Sequence, residues 1–99
     1  MGATITNPLK RMGSWVGKSN ATVYQAATDG FVLAADNTNA NSWDVEGYTD
    51  GSNPPTTKRS IAGASSLARG ATIEMPVKKK DYWKVENAVS FVYWIPLEP

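Results

Sequence analysis

Along much of the chain apolar and polar side chains alternate one by one, the period of a strand with one face on a core and one in water. In residues 42–49, Trp43 and Val45 fall on one side, and Asp44 and Glu46 on the other. Ile73, Met75 and Val77 alternate with Thr72, Glu74 and Pro76, and the proline marks the strand's end or an edge position. Trp83 and Val85 alternate with Lys84 and Glu86 in the same way. Residues 58–61 read as a short strand. Residues 22–26 and 31–35 are β-rich runs on either side of Thr28-Asp29-Gly30, which is a hairpin signal. The last run, residues 88–95, is apolar on both parities: Val89, Phe91, Tyr93 and Ile95 against Val92 and Trp94. A strand of that kind is buried on both faces, inside the domain or between subunits.

Turn chemistry separates these runs. Residues 36–41 are rich in Asn, and Asp50-Gly51-Ser52-Asn53-Pro54-Pro55 is the densest turn signal in the chain. Residues 62–70 read as a loop and residues 78–81 as a polar turn. No stretch carries apolar residues at i, i+3, i+4 and i+7 over three turns, so no helical core is expected. About seven short strands with turns between them predict an all-β fold, a small antiparallel, jelly-roll-like β-sandwich. Residues 1–20 read as an irregular or extended lead-in and residues 21–99 as one domain. The expected core contains Phe31, Ile73, Trp83, Val85, Val89 and Phe91.

Composition narrows the possible chemistry. The 99 residues suffice for one domain, and 41% hydrophobic with 19% charged residues is ordinary for a globular fold. A formal net charge of +1 gives no sign of a nucleic-acid binder. No apolar run approaches the roughly 20 residues of a spanning helix. The first residues lack the basic and apolar stretches of a secretory signal, and their fit to a myristoylation motif is only formal. Cysteine and histidine are both absent. Disulfides, thiolate or imidazole metal sites, cysteine nucleophiles and histidine bases are therefore removed together. A chain this small without staples has little surplus of burial over chain entropy, and oligomerisation is a standard remedy.

The remaining motifs are weak. Gly13-Ser-Trp-Val-Gly17-Lys-Ser has three residues between its glycines where a phosphate-binding loop needs four. Ser60, Ser65 and Ser66 offer formal Ser–Lys pairs, but solvated loop serines explain them. Carboxylate pairs for glycosidase chemistry would come from Asp29, Asp44, Glu46, Asp50, Glu74, Asp81 or Glu86. Asp29 and Asp50 precede Gly and read as turn residues, whereas Asp44 and Glu46 read as the wet face of a strand. Asp36, Asn37, Asn39 and Asn41 supply oxygen ligands at spacings unlike those of an EF-hand, and a loop accounts for them without calcium. Lys78-Lys79-Lys80 reads as a solvated turn that would also meet phosphate or an acidic sugar. Four Trp and four Tyr form a rich aromatic set of the kind favoured at interfaces. Trp43, beside a polar loop, is a candidate sugar platform, although internal packing explains it better.

Four stretches together resemble the C-terminal domains of bacteriophage tail fibres and tailspikes. They are Val23-Tyr24-Gln25-Ala26-Ala27-Thr28-Asp29-Gly30-Phe31-Val32, the turn from Gly47 through Tyr48 and Asp50 to Pro55, Met75-Pro76-Val77-Lys78-Lys79-Lys80-Asp81-Tyr82-Trp83-Lys84-Val85, and Val92-Tyr93-Trp94-Ile95-Pro96-Leu97. The resemblance runs in order over residues 20–97. It departs at Lys80, where related sequences tend to carry Gly before Asp-Tyr-Trp. It implies a trimeric β-sandwich at the distal tip of a virion fibre, extracellular, serving trimerisation, host-surface recognition or both.

The functional expectation is a non-enzymatic terminal module without cofactor or metal, not inserted in a membrane and not bound to nucleic acid. It forms a homotrimer through one face of the last strand and contacts a bacterial surface polysaccharide. Asp44 and Tyr48 are the candidate sugar contacts, with Trp43 supporting from the core side. A capsid decoration or other purely structural virion protein is the alternative, and a small glycan-cleaving domain comes third.

Overall fold

A computed structural model describes residues 11–37, 44–63 and 71–98. Within them the strands are β1 (Arg11–Met12), β2 (Val16–Gly17), β3 (Tyr24–Gln25), β4 (Gly30–Asp36), β5 (Val45–Asp50), β6 (Lys58–Ala62), β7 (Ala71–Val77), β8 (Tyr82–Glu86) and β9 (Phe91–Glu98). They form two antiparallel sheets, and no described residue is helical. Sheet 1 runs β1-β9-β4-β7, with β2 also on β9, and sheet 2 runs β3-β8-β5-β6. The architecture is the all-β sandwich that the alternation predicts.

The inner faces follow the period of two. Ile73, Met75 and Val77 point inward from β7, and Trp83 and Val85 from β8. Val32 and Ala34 of β4 and Val45 of β5 complete the middle of the core. The ring centroids of Trp83 and Trp94 lie 5.7 Å apart with planes 18° from parallel, and those of Tyr24 and Trp83 lie 4.9 Å apart. Glycine is required at two close approaches. A Cβ on Gly30 would stand 2.5 Å from the tip of the Trp94 ring, and one on Gly47 would stand 2.8 Å from Ile73 Cδ1 of the opposite sheet.

Three expectations are corrected. Val89 is 55% exposed because it lies in the turn before β9, not in the strand. Phe91 and Phe31 are half-buried on the outer face of sheet 1, since Val92, Trp94 and Val32 take the inner positions. The runs around Asp29-Gly30 are not a hairpin: β3 pairs with β8 in sheet 2 and β4 with β7 and β9 in sheet 1. The Ala26 N–H donates to the Asp81 carbonyl and the Lys80 N–H to the Ala26 carbonyl, at 2.9 and 2.7 Å, which carries β3 away from β4.

Two further segments close the sandwich. Part of the segment read as a lead-in belongs to it, because β1 and β2 form an interrupted edge strand along β9. The chain then crosses between the sheets, with the Lys18 N–H donating to the Val92 carbonyl (2.8 Å) and the Ala21 N–H to the Val85 carbonyl (2.7 Å). On the other side β6 lies beside β7, and the Ser60 hydroxyl donates to the Glu74 carbonyl at 3.4 Å. β7 is an edge strand, as Pro76 implies. Among the described residues every buried side-chain polar atom has a hydrogen-bond partner.

Lys80 has φ 74°, and the Asp81 N–H donates to the Lys78 carbonyl at 3.0 Å. The geometry is that of a type II turn, whose third position favours glycine because a Cβ there crowds the backbone. Lys80→Gly relieves that crowding and adds backbone entropy to the unfolded chain. The net is a stabilisation of roughly 0.5–1 kcal/mol. Urea unfolding at fixed protein concentration should show a higher midpoint at unchanged slope, and a lower midpoint would contradict this account of the turn.

Candidate functional site

The two outer faces of the sandwich differ in chemistry. On sheet 2, β5 presents Glu46, Tyr48 and Asp50, and register places them opposite Glu86, Lys84 and Tyr82 of β8. Lys58 of β6 lies on the other side of Tyr48. Alternation drives Val45, Gly47 and Thr49 inward, so these polar residues have only the outer face.

Tyr48 sits at the centre of this face, half-buried. Its hydroxyl donates to Glu46 Oε1 at 2.8 Å, and Lys58 Nζ donates to Glu46 Oε2 at 2.8 Å. Lys84 Nζ lies 5.0 Å from the Tyr48 ring centroid and Lys58 Nζ 5.9 Å, both within cation–π range. Lys84 also pairs with Glu86 at 3.3 Å. The hydrogen bond from Lys58, then that from Tyr48, holds the Glu46 carboxyl below its ordinary pKa, and the same carboxylate raises the Tyr48 phenol and the Lys58 ammonium. The result is an aromatic ring framed by two cations and two anions, able to meet a polyhydroxylated ligand with both donors and acceptors.

The expected contacts are only partly assembled. Tyr48 is on the outer face, but its neighbours are Glu46, Lys58 and Lys84. Asp44 is exposed just before β5, and its carbonyl accepts a 2.8 Å hydrogen bond from the Asn87 side chain. Four strand positions separate Asp44 from Tyr48, about 13 Å at 3.3 Å per residue. Trp43 lies outside the described residues, as do Asn39 and Asn41 of the Asn-rich loop. Asp36 is buried at the end of β4. Among the described residues no group of three acidic side chains converges as a metal site would require. The two lysines around Tyr48 were visible in sequence as polar partners of strand residues, but their register opposite it was not.

Sheet 1 carries the opposite chemistry. Phe31 and Leu33 of β4 pair with Ile95 and Tyr93 of β9, and Phe91 follows on the same parity. Trp15 meets Tyr93 edge to face, ring centroids 5.5 Å apart, and Phe91 lies 5.3 Å from Tyr93. Met12 and Trp15 are 63% and 59% exposed at the margin and extend the apolar surface of this face toward solvent. Between Met12, Trp15, Phe31, Leu33 and Ile95 is a shallow pocket of about 240 Å³, with Glu74 at its rim.

Compared with protein families, curated proteins and solved structures, the chain matches none. The functional argument therefore rests on these faces and on the residues themselves.

Beside the charged face, Asp50 organises the turn that follows β5. Its Oδ1 accepts from the Ser52 N–H at 2.8 Å, and its Oδ2 accepts from the N–H groups of Thr56 and Thr57, each at 2.9 Å. The N–H of Ser52, then that of Thr56, holds the carboxyl well below the usual carboxylate range. A group with a depressed folded pKa contributes stability above its unfolded value, here 3.8, and that contribution is lost as pH falls through the folded value. Asp50→Asn places an amide NH₂ against at least one of those donors at every pH. The wild type should melt higher than Asp50→Asn at pH 6, with the gap narrowing steadily between about pH 5 and 2. A gap in melting temperature that stays constant across that range would rule Asp50 out as the titrating group.

Proposed function

We propose that this chain is the terminal module of a bacteriophage tail fibre or tailspike, a homotrimer that joins through the Leu33, Phe91 and Tyr93 part of the outer face of sheet 1 and turns the Tyr48 face of sheet 2 toward a host-surface glycan. The observation that carries the reading is the apolar outer face of sheet 1. Leu33, Phe91 and Tyr93 are half-buried on its two central strands, with the exposed Trp15 and Met12 beside them. The two central strands, seven and eight residues long and spaced by ~4.8 Å, span on the order of 200 Å². The exposed Trp15 and Met12 enlarge that strip to a contiguous apolar patch, the kind of surface on which interaction sites form. The last strand is apolar on both parities for this reason: one face serves the sandwich and the other serves the neighbouring copy. The trimer number, the virion location and the glycan follow from the tail-fibre resemblance over residues 20–97.

The non-enzymatic part of the reading has its own support. Glu46 and Glu86 are cross-strand neighbours, the nearest thing on this face to a paired carboxylate site. Each is paired with a lysine, and Glu46 is held below its ordinary pKa, whereas a general acid needs a raised one. A purely structural virion role is the second reading. The observation that favours it is the internal satisfaction of the Glu46–Tyr48–Lys58 network.

Native mass measurement at micromolar concentration should give three times the 10.7 kDa chain. Leu33→Lys, on the outer face and away from the core, should give a folded monomer. A wild-type monomer contradicts the assembly, and a trimeric Leu33→Lys moves the interface elsewhere. Tyr48→Ala should keep the trimer while weakening host-cell binding roughly ten-fold, the size expected when a central aromatic contact is truncated. A wild-type oligomer that binds no host cells leaves the structural reading in its place.

A further inference from the structure

Where β4 begins and β7 and β9 end, the surface of sheet 1 opens into a hollow of about 460 Å³. Its apolar lining is Phe31, Pro76 and Leu97, and its rim carries Lys78 and Lys79. Phe31 and Pro76 are register partners on adjacent strands, so their side chains share one face. Asp29 fixes the walls. Its carbonyl accepts from the Leu97 N–H, and its Oδ1 accepts from the Lys79 N–H, both at 2.8 Å. The end of β9 and the lysine turn are thereby held against the start of β4. Between described residues, Lys58 pairs with Glu46 and Lys84 with Glu86, and neither pair takes a lysine of the 78–80 triplet.

An apolar floor with unpaired cations at one rim calls for a ligand with a flat C–H face and a negative charge. Backbone chemistry separates a sugar from a phosphate. Phosphates are cradled by clusters of free N–H groups. Here the N–H groups of Lys79, Lys80 and Asp81 are already given to Asp29, Ala26 and Lys78. What remains is a pair of flexible ammonium groups above a hydrophobic surface. The volume lies within the range of small-ligand sites.

We propose that this hollow binds a uronic acid unit of an acidic polysaccharide. The pyranose C–H face lies on Phe31 and Pro76, and the carboxylate reaches Lys78 and Lys79. The site rests on the glycan part of the proposed function, names the glycan as acidic, and places a contact away from the Tyr48 face, at the Phe31 end of sheet 1 beyond the Leu33, Phe91 and Tyr93 interface.

The test is a titration of the isotope-labelled full chain with tri-galacturonic acid at low salt, followed by amide chemical shifts. Shifts should concentrate at residues 29–31, 76–79 and 97. Lys78→Ala and Lys79→Ala should each weaken binding roughly three- to ten-fold, the range for losing one exposed or partly desolvated charge contact. Lys18→Ala, in the crossing between the sheets and in neither site, should bind as the wild type does. The methyl-esterified trisaccharide, with the same rings and no charge, should bind at least ten-fold more weakly. Equal binding of the ester, shifts spread over all lysines, or no response at millimolar sugar each overturn the proposal. So does tripolyphosphate that shifts the same residues at lower concentration, because that ligand has no use for the apolar floor. Host-cell binding and native mass are read separately. Cells that bind through Tyr48 while uronate does not bind leave the proposed function standing and remove only this site.

Discussion

Trp83 from sheet 2 and Trp94 from sheet 1 meet face to face in the middle of the sandwich, and much of the molecule follows from fitting those two rings between the sheets. Stacked sheets lie about 10 Å apart, a gap that small aliphatic residues alone do not fill. Loss of one buried Trp side chain costs about 3–5 kcal/mol, a large share of what a small domain possesses. The Trp94 ring reaches so far that only glycine fits beneath it at position 30. With Trp94 pointing inward, Val92 must also point inward, and Phe91 and Tyr93 are turned out. Register with β4 then aligns Tyr93 with Leu33 and Ile95 with Phe31 on the outer face. The apolar surface of sheet 1 is thus the other side of a core decision.

That dependence explains what could be read from the chain. Where one parity was polar, as in β7 and β8, the sequence displayed the phase directly, and Ile73, Met75, Trp83 and Val85 are where alternation puts them. The last strand had no polar parity to set its phase. Assigning Val89 and Phe91 to the core followed the wrong one, because the Trp94–Trp83 contact that decides it lies between residues distant in sequence. The Asp29-Gly30 turn shows the same limit. Local chemistry announced a reversal, but which sheet each arm joins depends on Ala26 bonding to the 78–81 turn more than fifty residues away. Lys80 was legible as a turn position that would suit Gly, and its φ of 74° is the geometry a glycine adopts without crowding.

The candidate site was legible in type and incomplete in membership. Alternation placed Tyr48 on the wet face of β5, which is correct. Its company was set by strand register, which brings Lys84 and Lys58 alongside and leaves Asp44 at the far end of the strand. Nor did sequence show that the lysine triplet would overhang Phe31 and Pro76, since three elements must end together to form that hollow.

How such a sandwich can associate is constrained by its edges. Strand addition needs a long, flat, unpaired edge. Here β1 and β2 at one margin of sheet 1 are two residues each, and β3 at the margin of sheet 2 is also two. The chain between β2 and β3 ties those margins together through Lys18 and Ala21. At the other side β7 is interrupted as a donor edge by Pro76 and lies beside β6, with the Ser60 hydroxyl on the Glu74 carbonyl. Edge-to-edge growth, which would continue without limit, is thereby discouraged on both sides. The surface left for a second copy is a face, and of the two faces only that of sheet 1 is apolar. Copies that share such a face around a closed rotation axis form a finite assembly, which edge addition does not.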